Sequence, residues 1–218
     1  MPKTSDKRIT LSFDNGPHAE FTPMVLDVLA RHDIRTTFFV VGQNLVANRD
    51  IARRARDEGH WIGNHTWSHS FPFREKGDAD FVASEIDQTQ AVIGDLAHED
   101  KLFRPYGGAG RLDGALNAVA AKHLQQHGYT CVLWNSVPGD FRDAVGWPAA
   151  AMDQISQLES PLVVLHDIHG EAMTRLDRFI SQLKYEGYSF KQDIPPDMIV
   201  IRNGEPTEAL GSVLAKKI

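Results

Sequence analysis

The chain of 218 residues contains a single cysteine, Cys131, so no intrachain disulfide can form and the fold has to be held by its core. The place of Cys131 in the apolar run from Tyr129 to Trp134 predicts a buried, structural thiol. Long hydrophobic runs are missing as well. No stretch approaches the length needed to span a bilayer, which argues against a membrane partner. The opening residues Met1-Pro2-Lys3-Thr4-Ser5-Asp6-Lys7-Arg8 carry no apolar segment of the secretory kind, so a cytoplasmic location is the expectation. Positive charge is scarce: 23 Lys and Arg stand against 29 Asp and Glu, a formal charge of −6. That balance disfavours nucleic acid, and the densest basic cluster, Arg53, Arg54 and Arg56, reads as the solvated face of a helix. There is no internal repeat or low-complexity segment. With 42% hydrophobic and 24% charged residues the composition is that of a globular protein, long enough for one sizeable core in one domain spanning residues 1–218.

What is present is an alternation of strand and helix signals. Ile9 to Phe13 alternates apolar residues and ends at Asp14, as a core strand with a polar tip does. Thr22-Pro23 then opens a helix, with Thr22 as its cap and Val25, Leu26, Val28 and Leu29 as its buried stripe. Thr36 to Gly42 predicts a second buried strand, Leu45 to Glu58 a helix stopped by Gly59, and Trp61-Ile62-Gly63 a third strand. Further helices are expected over 80–96, 112–126, 148–158 and 173–186. Further strands should end at Phe103-Arg104 and run over Thr130 to Trp134, Pro161 to His166 and Met198 to Ile201. This order predicts parallel βα units closing toward a barrel. Because such barrels gather their sites at the C-terminal strand ends, Asp14, His65, His69, Arg104, Asp140 and His166 can converge although they are far apart in sequence.

His65 and His69 stand four residues apart in Asn64-His65-Thr66-Trp67-Ser68-His69. On one helical turn, positions i and i+4 share a face, so the pair predicts two imidazoles directed at one cation. Taken singly, each signal has a plainer reading. The histidine pair alone is an ordinary surface feature, Asp14-Asn15-Gly16-Pro17 alone a turn, and Arg104 a loop arginine. His166 alone would be a core histidine, Asp140 a turn acid and Asp167 a helix cap. Packing accounts for His18, His60 and His169. Trp67, Phe71, Phe73 and Trp147 either line a cleft by ring stacking or cover the barrel.

The ordered set of motifs resembles the polysaccharide deacetylase family, the NodB-homology or carbohydrate esterase family 4 domain, over nearly the whole chain. Ser12-Phe13-Asp14-Asn15-Gly16-Pro17 stands against the family's Thr-Phe-Asp-Asp-Gly-Pro. Thr37 to Gly42, Glu58-Gly59-His60, Gly63 to His69, Phe103 to Gly107, Trp134 to Phe141 and Val164-Leu165-His166-Asp167 follow in order. The resemblance implies a distorted, incomplete (β/α) barrel of about seven βα units. It implies an enzyme that removes acetyl groups from N- or O-acetylated sugars with a divalent metal, zinc foremost and cobalt or nickel as alternatives. Asn15, His65 and His69 would be the metal ligands, Asp14 the general base paired with Arg104, and His166 the general acid oriented by Asp140. The backbone near Tyr106 would donate to the oxyanion.

Three departures from the family pattern stand out. Asn15 replaces an anionic ligand with a neutral amide, which lowers metal affinity. Arg104-Pro105-Tyr106 is one residue shorter than Arg-x-Pro-Tyr, so either a residue is missing or Gly107 takes the tyrosine's place. Val137-Pro138-Gly139-Asp140-Phe141 stands where the family has Asp-x-x-Asp-Trp. The rival readings are a hydrolase of a small amide and a non-catalytic sugar-binding relative.

Overall fold

A computed structural model describes residues 7–107, 110 and 112–215. Its framework is a curled parallel sheet, begun by β1 (Arg8–Asp14). On one side of β1 lie β2 (Thr37–Val40), β3 (Trp61–Asn64), β4 (Leu102–Phe103) and β5 (Thr130–Val132), in that order. On the other side lies β6 (Leu162–His166), in register with Thr10 to Asp14. Past β5 the chain bends back, and a parallel bridge between Ser136 and Val163 joins the far edge to β6. The sheet thus curls round on itself as a distorted barrel.

A seventh parallel strand, β7 (Ser189–Lys191), pairs with the first half of β1. The sequence signal there was too short to announce it. The expected last strand exists as β8 (Ile199–Arg202), but it runs antiparallel on β5 and turns into β9 (Glu205–Pro206). The reason is the link before it. Only residues 192–198 separate β7 from β8, and a parallel return needs a crossover of a dozen residues or more.

The two faces of β1 explain the layers. Ile9, Leu11 and Phe13 point outward into a core shared with α1 (Phe21–His32) and the helices near it. Each buried side chain of that size stabilises the fold by about 1.5–3 kcal/mol. Ser12 and Asp14 alternate with them and face inward, toward Arg104. A strand of period two therefore delivers apolar surface to the helices and polar chemistry to the barrel.

Several helices differ from their sequence signals. Thr22 does not cap α1: the N-cap position is Glu20, and the Thr22 hydroxyl donates to Asp167 while accepting from the His18 N–H at 2.7 Å. The helix over 45–58 is two, α2 (Gly42–Ala47) and α3 (Arg49–Asp57), broken at Asn48 (φ −135°), whose amide donates to Pro17 O and Asn44 O. On α3, Arg53 and Arg54 pair with surface carboxylates, as a solvated face requires. The following helix, α4 (Ala79–Ile93), is capped by Asp78, whose side chain accepts from Phe81 N–H at 3.0 Å. The next, α5 (Ala118–Gln126), starts later than its signal because Asn117 caps it, and Leu116 before it bridges to Leu214. After α6 (Trp147–Ile155), the span 173–186 is again two helices, α7 (Gly170–Met173) and α8 (Leu176–Tyr185). A short α9 (Leu210–Val213) ends the described chain. Cys131 is free and buried, and burial pushes its thiol pKa up. Among the described residues no helix is long and apolar enough to cross a membrane.

Candidate active site

The C-terminal ends of β1, β3, β4 and β6 surround a cavity of about 180 Å³. At ~30 Å³ per water it has room for about six waters. Asp14, Asn15, His65, His69, Tyr106 and His166 all line it. Arg104 lies beneath Asp14 and Asp140 behind His166, so the eight residues singled out in the sequence meet at one place.

Asp14 and His166 are register partners on adjacent strands, which sets the two carboxylate and imidazole groups side by side at the barrel mouth. Asp14 Oδ1 accepts from Arg104 Nη1 at 2.7 Å, and the same nitrogen donates to Ser12 Oγ at 2.7 Å. The guanidinium is 0% exposed and lies 4.0 Å over the Phe39 ring. Burial alone would raise the Asp14 pKa. The charge of Arg104, helped by His65 and His166, outweighs it and holds the carboxyl below its ordinary range.

Asp140 is buried and takes both the His166 backbone N–H (2.7 Å) and Nδ1 (2.9 Å). A carboxylate only accepts, so the Nδ1 proton is fixed and Nε2 is left for a substrate. Burial pulls the His166 pKa down, but the hydrogen bond and charge of Asp140 carry it above the ordinary value.

Asn15 occupies the left-handed region (φ 78°), which asparagine tolerates better than most residues. Its backbone is clamped by Phe39 O and by the Asn44 amide, 2.7 Å from Asn15 O. The next residue must be glycine: a Cβ on Gly16 would come within 2.2 Å of Asp167 Oδ2. Asp167 is therefore not a helix cap. Fully buried, it accepts from Gly16 N–H at 3.1 Å, and burial lifts its pKa to about 6.

His65 and His69 do not share a helical turn. The segment between them is a loop leaving β3, with Thr66 (φ 67°) and His69 (φ 51°) in the left-handed region. The loop still brings the rings to 4.8 Å between centroids. His65 Nδ1 donates to Arg104 O at 2.8 Å, which leaves the Nε2 lone pair free, 3.6 Å from Asp14 Oδ2. Burial disfavours the charged form of both rings: it lowers the His65 pKa, and it brings the His69 pKa down to about 3.

The donor set fits a divalent cation. Among the described residues no three His, Cys, Asp or Glu side chains form a metal-holding group, so a third side-chain donor beside His65 and His69 would be of another type. Asn15 supplies one: its Oδ1 is buried and has no hydrogen-bond partner, as a ligand oxygen is before its ion arrives. Two neutral imidazoles and one amide oxygen offer lone pairs but no charge.

The opposite wall is apolar and was only partly legible. Trp134, Val137, Phe141 and Val164 line it, with Trp134 Nε1 donating to Gly110 O. Phe141 meets His166 edge-on at 5.0 Å. At the shortened arginine motif, Tyr106 itself reaches the wall, its ring 3.8 Å from that of His69, and Gly107 follows it there. His169, set aside in the sequence, also lines the cavity, 6.2 Å from the His166 ring. His18 instead stacks on Phe21, and His60 accepts from Thr36 N–H. Trp67, Phe71, Phe73 and Trp147 lie outside the cavity wall; Phe73 and Trp147 are core residues.

Residues 2–132, more than half of the chain, match the polysaccharide deacetylase family model, and the chain belongs to that family. It is 32% identical over 193 residues to the peptidoglycan-N-acetylglucosamine deacetylase PgdA of Listeria monocytogenes, a match covering 87% of this chain and 39% of PgdA. This chain thus spans about two fifths of that relative. Against the peptidoglycan-N-acetylmuramic acid deacetylase PdaA of Bacillus subtilis the identity is 32% over 196 residues, covering 88% and 72% of the two chains. The solved family 4 carbohydrate esterase from Streptomyces lividans, in complex with acetate, superimposes with a TM-score of 0.73 at 26% identity, covering 93% of this chain and 100% of that one.

Proposed function

We propose that the protein is a metal-dependent hydrolase that removes acetyl groups from an acetylated amino sugar or oligosaccharide. The observation that carries this reading is a single cavity holding a base, an acid and a donor set together: Asp14 paired with Arg104, His166 paired with Asp140, and Asn15 with His65 and His69. The sequence likeness to the deacetylases PgdA and PdaA supports it, as does the shared fold of the Streptomyces lividans carbohydrate esterase.

Asn15, His65 and His69 would hold a divalent cation, zinc or one of cobalt and nickel, which when bound would supply Lewis acidity toward the acyl oxygen and make a nearby water more acidic. The remaining work falls to side chains. Arg104 keeps Asp14 ionised, and Oδ2, the oxygen not bound to Arg104 Nη1, takes the proton from the attacking water. The backbone at Tyr106 donates to the oxyanion that follows. His166 Nε2 then protonates the departing amine, while Asp140 accepts the hydrogen bond from Nδ1–H and keeps the ring oriented. The wall of Trp134, Val137, Phe141 and Val164 holds the acetyl methyl and excludes bulk water.

Acetate release from N-acetylglucosamine oligomers and from acetylated peptidoglycan fragments, measured on chelator-stripped protein with added Zn²⁺, Co²⁺ or Ni²⁺, tests the proposal. Metal-dependent release supports it. Protein that binds the sugars yet stays inert with every metal would make it a sugar-binding relative, the reading that Asn15 alone favours.

A further inference from the structure

We propose that Glu85 is the positioning residue that sets the His65 and His69 imidazoles in place and so determines the metal affinity of the site, an inference that rests on the deacetylase reading above. Glu85 lies on α4 with Val82, Ile86, Thr89 and Ile93, all buried, and is itself 5% exposed. A carboxylate in an apolar stripe is costly unless something claims its lone pairs. Here the claimant is the loop between the two histidines. Oε2 accepts from Trp67 N–H at 3.0 Å and from Ser68 N–H at 2.9 Å, and Oε1 accepts from the Ser68 hydroxyl at 2.6 Å.

The other side of the loop is held as firmly. Thr66 O and Trp67 O accept from Gly42 N–H at 2.9 Å and Gln43 N–H at 3.1 Å, and Asn64 Oδ1 takes the Thr66 N–H at 3.0 Å. Between these anchors the loop passes through Thr66 (φ 67°) and His69 (φ 51°), backbone that non-glycine residues keep only when their surroundings impose it. Amides that converge on one buried carboxylate are such a surrounding. Three donors need an acceptor-only group with at least three free lone pairs, which glutamate offers and glutamine does not. Because Ser68 precedes His69 and Trp67 follows the residue after His65, releasing the carboxylate frees both ends of the pair.

The test is a titration of chelator-stripped protein with Co²⁺ alone, by calorimetry and by the visible absorption of the bound ion, on the parent, Glu85→Gln and Ser68→Ala. Glu85→Gln should raise the Co²⁺ dissociation constant by about 10- to 100-fold, the usual effect of losing a group that orients a ligand. Saturating Co²⁺ should restore its turnover toward the parent value. Ser68→Ala, which loses one of the three bonds, should show a smaller rise. A folded Glu85→Gln that binds Co²⁺ as the parent does, or whose activity no Co²⁺ concentration restores, overturns the proposal. If Glu85→Gln does not fold, an unchanged dissociation constant in both Ser68→Ala and Glu85→Asp overturns it. A parent that binds no Co²⁺ removes the metal reading itself, and its own titration separates that failure from one confined to Glu85.

Discussion

Replacing Arg104 with Gln removes a guanidinium that is 0% exposed and bonded at 2.7 Å to both Asp14 Oδ1 and Ser12 Oγ, with Nη2 3.2 Å from Leu133 O. What remains is a carboxylate 4% exposed, stripped of its counter-charge. At 2.7 Å and an effective dielectric of 20 the direct attraction is about 6 kcal/mol. Desolvation of two buried ions opposes most of that, and deleting one partner of such a pair costs about 3–5 kcal/mol because the survivor stays buried and unpaired. The loss should therefore approach a large part of a typical fold stability of about 5–15 kcal/mol. Arg104→Gln combined with Asp14→Asn leaves no orphaned charge and should recover part of the loss, so the two changes couple rather than add. Urea unfolding of the four proteins at pH 7 in chelator measures this without any reference to activity. An Arg104→Gln loss under about 1 kcal/mol, or strictly additive changes, would refute a buried ion pair at the heart of the site.

Asn15→Asp should tighten Co²⁺ or Zn²⁺ binding at least about tenfold, since it gives a neutral donor set its missing charge; calorimetry with unchanged affinity would remove Asn15 from the ligands. The pH profile of kcat/KM should be a plateau with its limbs set wide. Asp14 must be ionised and its pKa is lowered, so the acid limb falls below the ordinary ~3.9; His166 must be protonated and its pKa is raised, so the basic limb falls above ~6.5. His166→Ala should slow amide substrates more than esters, because an alkoxide needs less help to leave than an amine; equal losses on both count against the acid role. Away from the site, His60 accepts from Thr36 N–H, is 4% exposed, and burial lowers its pKa to about 4. The unfolded chain binds a proton at ~6.5 and the folded one does not, so stability is lost as pH falls from ~6.5 and the loss levels off below the folded value, at about 3 kcal/mol. His60→Asn, which keeps an acceptor and cannot titrate, should flatten that part of the urea stability curve.

The barrel was legible because its strands are short, buried and punctuated. Phe13, Phe103 and Leu165 end apolar runs just before Asp14, Arg104 and His166, and that boundary survives any error in helix length. Less legible was whatever depends on partners distant in sequence. Thr22 has the composition of a cap and its neighbour is proline, yet its hydroxyl is taken by Asp167, 145 residues away. His65 and His69 have helical spacing, but Glu85 and the first amides of α2 hold them in a loop, so the expected rings meet by an unexpected backbone. Glu85 could have been suspected, since it interrupts the buried stripe of α4. His169 and Val164 carry no local signal, because a cavity wall assembled from strand ends has no period of its own.

Among the described residues of the cavity wall Asp14 is the single acid, and this gives Asn15 a consequence beyond weaker binding. Arg104 balances Asp14 and Asp140 balances a protonated His166, so the site is close to neutral before any ion enters. An aspartate at position 15 would offset one of the two charges of a dication, whereas asparagine offsets none. The nearest anion is then Asp14, whose Oδ2 is 3.6 Å from His65 Nε2. Its carboxylate would feel the excess charge directly, and its pKa would fall further as a result. A more acidic water and a weaker base arise from the same substitution, and they oppose each other in proton transfer. Which effect prevails sets whether Asn15→Asp raises or lowers kcat at saturating metal, while the affinity gain has the same sign in both cases. Turnover and binding must therefore be measured apart: a variant that binds tenfold tighter and turns over more slowly would be the signature of an asparagine retained for its electrostatics rather than tolerated as a loss.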